Sequence, residues 1–247
     1  MLIIFTITKR ELQSYFSSLI AYTVIAAFLV VSGYFYHTNM VMFVTFAGSA
    51  VRLGLWQQTF YDMRFVLVSL LPLLTMRLFA EEKKLGTIEL LFTNPLRDVD
   101  IIIGKYLACV LVLVLMILLT LLYPALLAAV FSLDPGPVAA GYLGIFLMGA
   151  ACIACGMFLS SLTENQIVAA MSTVGVLLFL WFLDWNEGIA GSTTMVVLHQ
   201  LSLSDHFFNF IRGVIDLDDI VYYLSVIVLF LFFTRCSLAS RQWRGIT

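Results

Sequence analysis

Six long apolar segments separated by shorter polar stretches dominate the sequence. They cover residues 19–37, 63–80, 104–131, 139–160, 166–184 and 220–237. A helix needs about 20 apolar residues to cross the hydrocarbon core of a bilayer, and each segment is close to that length or exceeds it. The pattern therefore predicts an all-α integral membrane protein, with six transmembrane helices in one permease-sized domain over residues 1–247.

Two of the predicted spans have irregular features. The second contains Pro72 and carries Arg64 and Arg77 near its ends, from which long side chains can snorkel to the two interfaces. Its start is open between residue 63 and the neighbourhood of Leu55. The third is longer than a perpendicular crossing requires, so we expect it to tilt, to project from the bilayer or to bend at Pro124.

Composition supports a membrane location. Hydrophobic residues make up 62% of the chain and charged residues 11%, whereas a soluble domain is about half apolar and about a quarter charged. The net charge of −2 provides no basic surface for nucleic acid. Ten of the thirteen Lys and Arg residues lie on the side of the N-terminus when six spans are assumed, and this asymmetry predicts that both termini are cytoplasmic.

Residues 3–17, before the first span, form a predicted amphipathic helix. Ile4, Phe5, Leu12, Tyr15 and Phe16 share one face of it. Such a helix lies in the plane of the membrane interface. It is either an elbow that moves with the bundle or a simple anchor, and the sequence favours neither.

The fourth span is rich in Gly and Ala at spacings of three and four, which predicts a face for close helix packing, within one copy or between two. Cys152 and Cys155 lie in this stretch, where we interpret them as small packing residues. The external segment 185–219 is either a platform or lid for a periplasmic partner or an interfacial closure of the bundle. A metal site from His199, Asp205 and His206 is conceivable there from residue type alone.

The loop between the second and third spans is the most informative segment. Residues 81–94 are predicted to form a short helix, with Leu85, Ile88, Leu91 and Phe92 on an apolar face. Glu82 and Glu89 lie opposite them. Gly86 disfavours a helix and so suggests close approach by another surface. Such a helix either couples to a soluble partner or is an ordinary solvated element.

Residues 77–108, RLFAEEKKLGTIELLFTNPLRDVDIIIGKYLA, closely resemble the cytoplasmic signature of type-2 ATP-binding-cassette (ABC) exporter permeases. In that signature, E-E/K-x-x-G-T-x-E-x-L is followed by a proline and then by G-K at the start of the third span. The matching residues are Glu81, Glu82, Gly86, Thr87, Glu89, Leu90, Pro95, Gly104 and Lys105. Residues 9–36 and 205–225 resemble the gliding-motility and nitrous-oxide-reductase-maturation subgroup.

The resemblance implies a permease that works as a homodimer or with a paralogue in the bacterial cytoplasmic membrane, in contact with membrane lipids. Cytoplasmic ATP-binding-cassette ATPase subunits would dock on the loop helix, called the coupling helix. The candidate contact residues are Glu81, Glu82, Gly86, Thr87, Glu89 and Leu90. The chain lacks a GxxxxGK[ST] phosphate loop, since Gly104-Lys105 is followed by Tyr106. We therefore expect no catalytic, cofactor or metal site in this chain, with ATP and Mg²⁺ bound by the partner.

Two other classes of protein need groups that the predicted spans largely lack. An intramembrane enzyme needs nucleophilic or ionisable side chains at membrane depth, and an ion-coupled carrier normally needs carboxylates near the midplane. The predicted spans offer few such groups. Neither the cargo, nor whether any cargo crosses the membrane, follows from the sequence.

Overall fold

The computed structural model describes residues 2–45, 54–86, 97–128, 135–183 and 200–242. Its regular elements within these ranges are α-helices. They are α1 (Leu2–Ser17), α2 (Leu19–Thr45), α3 (Leu55–Thr75), α4 (Arg77–Lys84), α5 (Asp98–Thr120), α6 (Leu122–Ala128), α7 (Pro135–Leu162), α8 (Gln166–Trp181), α9 (Leu203–Ile211) and α10 (Leu217–Gln242).

Five of the six predicted spans correspond to helical stretches that are long and apolar enough to cross a membrane. These stretches are Leu19–Thr45, Leu55–Lys84, Asp98–Ala128, Pro135–Leu162 and Leu217–Ser240. The second begins at Leu55, the earlier of the two starting points that the sequence allows. The span predicted at 166–184 corresponds to α8, an apolar helix of 16 residues. At 1.5 Å per residue it is about 24 Å long.

Side-chain contacts define two ends of the helical bundle, which we name after the helices α1 and α9. At one end, which we call the α1 end, the Ser237 hydroxyl of α10 donates to the Ser161 carbonyl of α7 over 3.3 Å. At the opposite end, the α9 end, the Tyr223 hydroxyl of α10 donates to the Leu203 carbonyl over 2.9 Å. The helix α10 therefore runs from the α9 end to the α1 end.

The short helix α8 runs in the opposite direction to α7. It begins at the α1 end, where the Asn165 side chain caps it by accepting from the Ile167 amide over 3.0 Å. Near its other end, the Trp181 ring meets the Phe65 ring of α3 edge to face, with 6.3 Å between centroids. The chain thus reverses direction between α7 and α8 and again before α10.

The helix α7 lies at the centre of the bundle, and its small residues form the predicted packing face within one copy. A Cβ atom at Gly141 would lie 2.2 Å from the Phe60 ring of α3, and one at Gly156 would lie 2.1 Å from Thr75 Oγ1. Cys152 and Cys155 are buried free thiols in the same helix. The glycines therefore allow α3 to pack directly against the α7 backbone.

The long third span is interrupted at Leu121, between α5 and α6. Pro124 has no N–H with which to bond the carbonyl of Thr120, four residues earlier. The Tyr142 hydroxyl of α7 donates to this carbonyl over 3.0 Å. The helix is therefore interrupted three residues before Pro124, next to the carbonyl that the proline cannot bond.

Arg64 does not snorkel to an interface as predicted. It is 2% exposed, and its Nη1 donates to Ser204 Oγ over 2.7 Å. The guanidinium lies 3.7 Å from the ring centroid of Tyr61 and 4.4 Å from that of Trp181. Because α3 begins at Leu55, Arg64 lies well inside the helix, where aromatic rings and a hydroxyl surround it.

The described part of segment 185–219, which the sequence predicts to be external, contains α9, an amphipathic helix. Ser202 caps this helix by accepting from the amides of Ser204 and Asp205. His206 Nδ1 lies 2.7 Å from Asp219 Oδ1 at the start of α10. Its nearest described carboxylate partner is therefore Asp219, and His199 lies outside the described residues. The described residues contain no cluster of three potential metal ligands.

Candidate functional site

The start of α5 is packed against α1. A Cβ atom at Gly104 would lie 2.7 Å from the Ile7 side chain, and the Thr8 hydroxyl donates to the Gly104 carbonyl over 3.1 Å. Any larger residue at position 104 would push the two helices apart. The glycine of the G-K pair therefore permits close contact between the N-terminal helix and the third span.

The lysine of the same pair joins three helices. Lys105 is 2% exposed, and its Nζ lies 2.9 Å from Glu11 Oε1 of α1 and 2.8 Å from Glu82 Oε1 of α4. The Phe79 ring of α4 covers it, with its centroid 5.5 Å from Nζ. We call Lys105, Glu11 and Glu82 the Lys105 cluster.

The Lys105 cluster is a shielded arrangement of charges. Each carboxylate side chain is 16% exposed, so water screens the three charges less than it screens surface ion pairs. Two carboxylates share one ammonium, which gives the ionised cluster a net charge of −1. Removing the ammonium would leave two carboxylates facing each other with little water, a strongly unfavourable arrangement.

Sequence reasoning did not identify Glu11 as part of the site. The signal was its position: Glu11 follows Thr8 by three residues and precedes Tyr15 by four, so all three lie on one face of α1. The predicted apolar face needs correction at Phe5, which is 68% exposed, whereas Tyr15 is buried. The inner face of α1 is therefore partly polar and binds the bundle through specific contacts.

Tyr15 is the second point at which α1 is fixed. Its hydroxyl donates to the Leu74 carbonyl of α3 over 3.0 Å and lies 2.9 Å from Cys109 Sγ of α5. Burial raises the pKa of the Tyr15 phenol well above its usual value, so the hydroxyl stays protonated as a donor. The N-terminal helix is thus fixed to both the second and the third span.

Contacts with the end of α7 fix α4. The Ser160 hydroxyl accepts from the amides of Phe79 and Ala80 over 3.2 and 3.1 Å and donates to the Met76 carbonyl over 3.0 Å. The Lys83 ammonium donates to the Ser161 carbonyl. Together with Lys105, these contacts connect α4 to α1, α5 and α7 where the chain enters the loop.

The helix that is expected to begin at residue 81 begins earlier in the structure, and it ends before Gly86. Glu81 and Glu82 lie in the second half of α4, which starts at Arg77 and ends at Lys84. Leu85 and Gly86 form a turn, in which Gly86 has φ +69°, so helical conformation does not continue through the glycine. Gly86 is needed here because the left-handed region is unfavourable for residues with a Cβ atom.

The six predicted contact residues have different surroundings. Glu81 is 41% exposed, with Oε2 3.7 Å from Arg77 Nε. Glu82 faces Lys105 instead of the open side that the pattern suggested, and Gly86 is exposed with open space around it. Leu85, which lies on the apolar face of the predicted helix, is 67% exposed. The remaining three, Thr87, Glu89 and Leu90, lie outside the described residues.

A family model described as "ABC-2 family transporter protein" matches residues 57–214. The match covers more than half of the chain and includes α4, the loop and the start of α5. The chain belongs to the ABC-2 transporter family. It is a multi-pass membrane protein of the permease type, and permeases of this family generally work with cytoplasmic ATP-binding subunits. Among curated proteins, no match to the chain was found.

Proposed function

We propose that the chain is the permease subunit of an ABC transporter and that separate cytoplasmic ATP-binding-cassette subunits drive it. The observation that carries the proposal is the Lys105 cluster, which joins α1, α4 and α5 beside the loop of the family signature. A permease that is driven by separate subunits needs such a joint, because movement of the loop must reach several helices together. ATP and Mg²⁺ would be bound by the partner subunits.

The proposed topology has six crossings with both termini in the cytoplasm. The direction of α8, between α7 and α10, supports its role as the fifth crossing, since its 16 apolar residues run from the α1 end toward the α9 end. Basic residues support the orientation, because Arg77, Lys83 and Lys105 all have their contacts at the α1 end. The α1 end is then cytoplasmic, and α1 lies along the inner interface.

In the proposed mechanism, closure of the ATP-bound partner dimer moves the loop, and the movement enters the bundle through α4. The Lys105 cluster transmits it to α1 and α5, and the Ser160 contacts transmit it to α7. The helices then move as a rigid body that changes access through the bundle. Glu81, Gly86, Thr87, Glu89 and Leu90 are the proposed docking surface. Glu82, with its inward partner, would act mainly as the link.

Further parts of the assembly rest on the sequence resemblance. A second copy of the chain or a paralogue would complete the permease, in the cytoplasmic membrane of a bacterium. The similarity of residues 9–36 and 205–225 to the gliding-motility and nitrous-oxide-reductase-maturation subgroup supports two modes of action. One is export, and the other is transmission of force to a periplasmic partner that contacts the external segment.

The test uses the chain co-purified with its ATP-binding subunits and reconstituted in lipid, with subunit binding and ATPase stimulation measured separately. Glu82→Arg places a cation beside Lys105, so we expect the subunits to remain bound while stimulation falls at least tenfold. Gly86→Trp blocks the exposed turn, so we expect binding itself to weaken. Gly54→Trp is the matched control, because Gly54 also has open space but lies at the α9 end.

Unchanged ATPase stimulation and unchanged transport in both Glu82→Arg and Gly86→Trp would refute the proposed coupling route. Absence of any ATP-binding subunit from the complex purified out of native membranes would refute the proposed function itself.

A further inference from the structure

A cavity of about 320 Å³ lies between α1 and α4, with Lys105 of α5 on its wall. This volume is at the small end of the range for ligand pockets. Leu78 and Leu85 contribute apolar surface to a wall that otherwise consists of polar and charged side chains. The full lining is Arg10, Glu11, Ser14, Tyr15, Arg77, Leu78, Glu81, Glu82, Leu85 and Lys105.

The charged side chains around the cavity balance one another. The Lys105 cluster carries two carboxylates and one ammonium, for a net charge of −1 when ionised. Arg10, Arg77 and Glu81 carry two guanidinium groups and one carboxylate, for a net charge of +1. A ligand with one positive and one negative group would therefore find a complement for each.

Arg77 presents a donor with no hydrogen-bond acceptor among the described residues. Its Nη1 donates to Ser18 Oγ over 2.8 Å, but its buried Nε makes no such bond, and Glu81 Oε2 is 3.7 Å away. Buried polar groups are nearly always hydrogen-bonded, to protein, water or ligand. The Arg77 side chain nevertheless keeps 29% exposure and lines the cavity, and a guanidinium is well suited to a phosphate, which it can bind with parallel bonds.

The position of the cavity points to a lipid as the source of that phosphate. Ser18 marks the corner between α1 and α2, and Leu19 and Tyr22 immediately beyond it are 77% and 54% exposed. Leu85 on the cavity wall is 67% exposed. Apolar side chains thus adjoin a charged cavity at the level where the interfacial helix meets the first span, which is where lipid headgroups lie.

We propose that this cavity binds the headgroup of an aminophospholipid. The phosphate lies against the guanidinium groups of Arg10 and Arg77, and the primary ammonium lies beside the carboxylates of the Lys105 cluster. The lipid then bridges α1 and α4 next to their ion-paired joint, so that the composition of the inner leaflet affects how firmly the N-terminal helix is held. The proposal does not depend on which cargo the transporter carries.

The choice among lipids follows from the paired charges. Phosphatidylethanolamine supplies both a phosphate and an ammonium that can donate hydrogen bonds. Phosphatidylcholine has a quaternary ammonium without N–H donors. Phosphatidylglycerol has no cation, so it would leave the carboxylates of the Lys105 cluster without a complement and would add a negative charge to a lining whose own charges sum to zero. Free phosphate and phosphoethanolamine share the headgroup chemistry but lack the acyl chains.

The experiment is native mass spectrometry of the full chain purified in detergent, titrated with each of these three phospholipids and, separately, with free phosphate and phosphoethanolamine. We expect one tightly retained phosphatidylethanolamine, bound about tenfold more tightly than the other two lipids and than either soluble compound. Arg77→Gln should weaken this binding about tenfold through the lost charged hydrogen bonds. Arg10→Gln, on the exposed side of α1, should weaken it about threefold without disturbing the fold.

Arg235→Gln is the matched control, because Arg235 is an exposed arginine toward the α1 end of α10 and does not line the cavity. It should bind the lipid as the unaltered chain does. Equal binding of all three lipids, equal binding by the Arg10→Gln variant and the unaltered chain, or full occupancy by free phosphate alone would each overturn the proposal.

Discussion

Replacing Lys105 by Met is expected to lower the free energy of unfolding substantially. The substitution keeps most of the side-chain volume but leaves Glu11 and Glu82 without the ammonium that lies 2.9 and 2.8 Å from them. Removing one partner from a buried ion pair costs about 3–5 kcal/mol. Because each carboxylate keeps 16% exposure, we expect the lower end of that range, about 3 kcal/mol.

The assay is reversible unfolding in mixed detergent micelles, followed by circular dichroism. A second substitution makes the test specific: Glu82→Gln in the Lys105→Met background removes one of the two facing charges. The double variant should therefore be at least about 1 kcal/mol more stable than the sum of the single effects, as expected for residues in direct contact. Lys84→Met is the control, because Lys84 is the exposed lysine of the same helix and should change stability by less than about 0.5 kcal/mol.

Two results would refute this reasoning. If Lys105→Met and Lys84→Met are equally stable, then Lys105 is not held in a buried ion pair. If Glu82→Gln and Lys105→Met have strictly additive effects, the two side chains do not interact, and the proposed joint between α4 and α5 does not exist.

Three other substitutions test the packing of the helical bundle. Gly156→Ala should lower the free energy of unfolding by about 1–3 kcal/mol, because the added Cβ would overlap Thr75. Gly175→Ala, which adds a Cβ in open space, should not lower it, and equal unfolding midpoints of the two variants would contradict this reasoning. Tyr142→Phe should lower the free energy of unfolding by about 1–3 kcal/mol, since it removes the hydrogen bond to the Thr120 carbonyl at the α5–α6 break. An unchanged unfolding midpoint would argue against that bond. Arg64→Lys should lose at least about 1 kcal/mol in the same assay despite keeping the charge, because an ammonium cannot stack between two rings, and full stability would exclude the aromatic cage.

The long helices were predictable because lipid imposes a simple requirement on sequence. Five of the predicted spans correspond to helices long enough to cross, and the small-residue face of α7 packs as its spacing indicated. The fifth span illustrates the limit of this reasoning. Its apolar run predicts 166–184, but the described helix has 16 residues, because residues 182 and 183 leave the α-helical conformation.

The charged joint was harder to predict because its members are far apart in sequence. Lys105 and Glu82 belong to the family signature, but Glu11 lies outside it, in a helix whose pattern points only to an apolar face. Helix periodicity gives the face on which a residue lies and not the partner that the face meets. The predicted outward direction of Glu82 failed for the same reason.

The turn at Gly86 shows a second limit. A glycine in an otherwise helical pattern can lie within a continuous helix, or it can end the helix by adopting a left-handed conformation. The two alternatives place every following residue differently. The structure has the stop, with φ +69°. The end of α4 could not be placed from the pattern alone, because the contacts of Ser160 that fix α4 come from 80 residues away.

The measurement that tests the central claim most directly is labelling of a cysteine introduced at position 81 in a background without native cysteines. A membrane-impermeant maleimide is applied to intact cells and to inverted membrane vesicles, with and without the ATP-binding subunits. Since Glu81 is exposed beside the loop, we predict labelling only in inverted vesicles, and protection when the subunits are bound. Labelling from the outside of intact cells, or equal labelling with and without the subunits, would contradict the account.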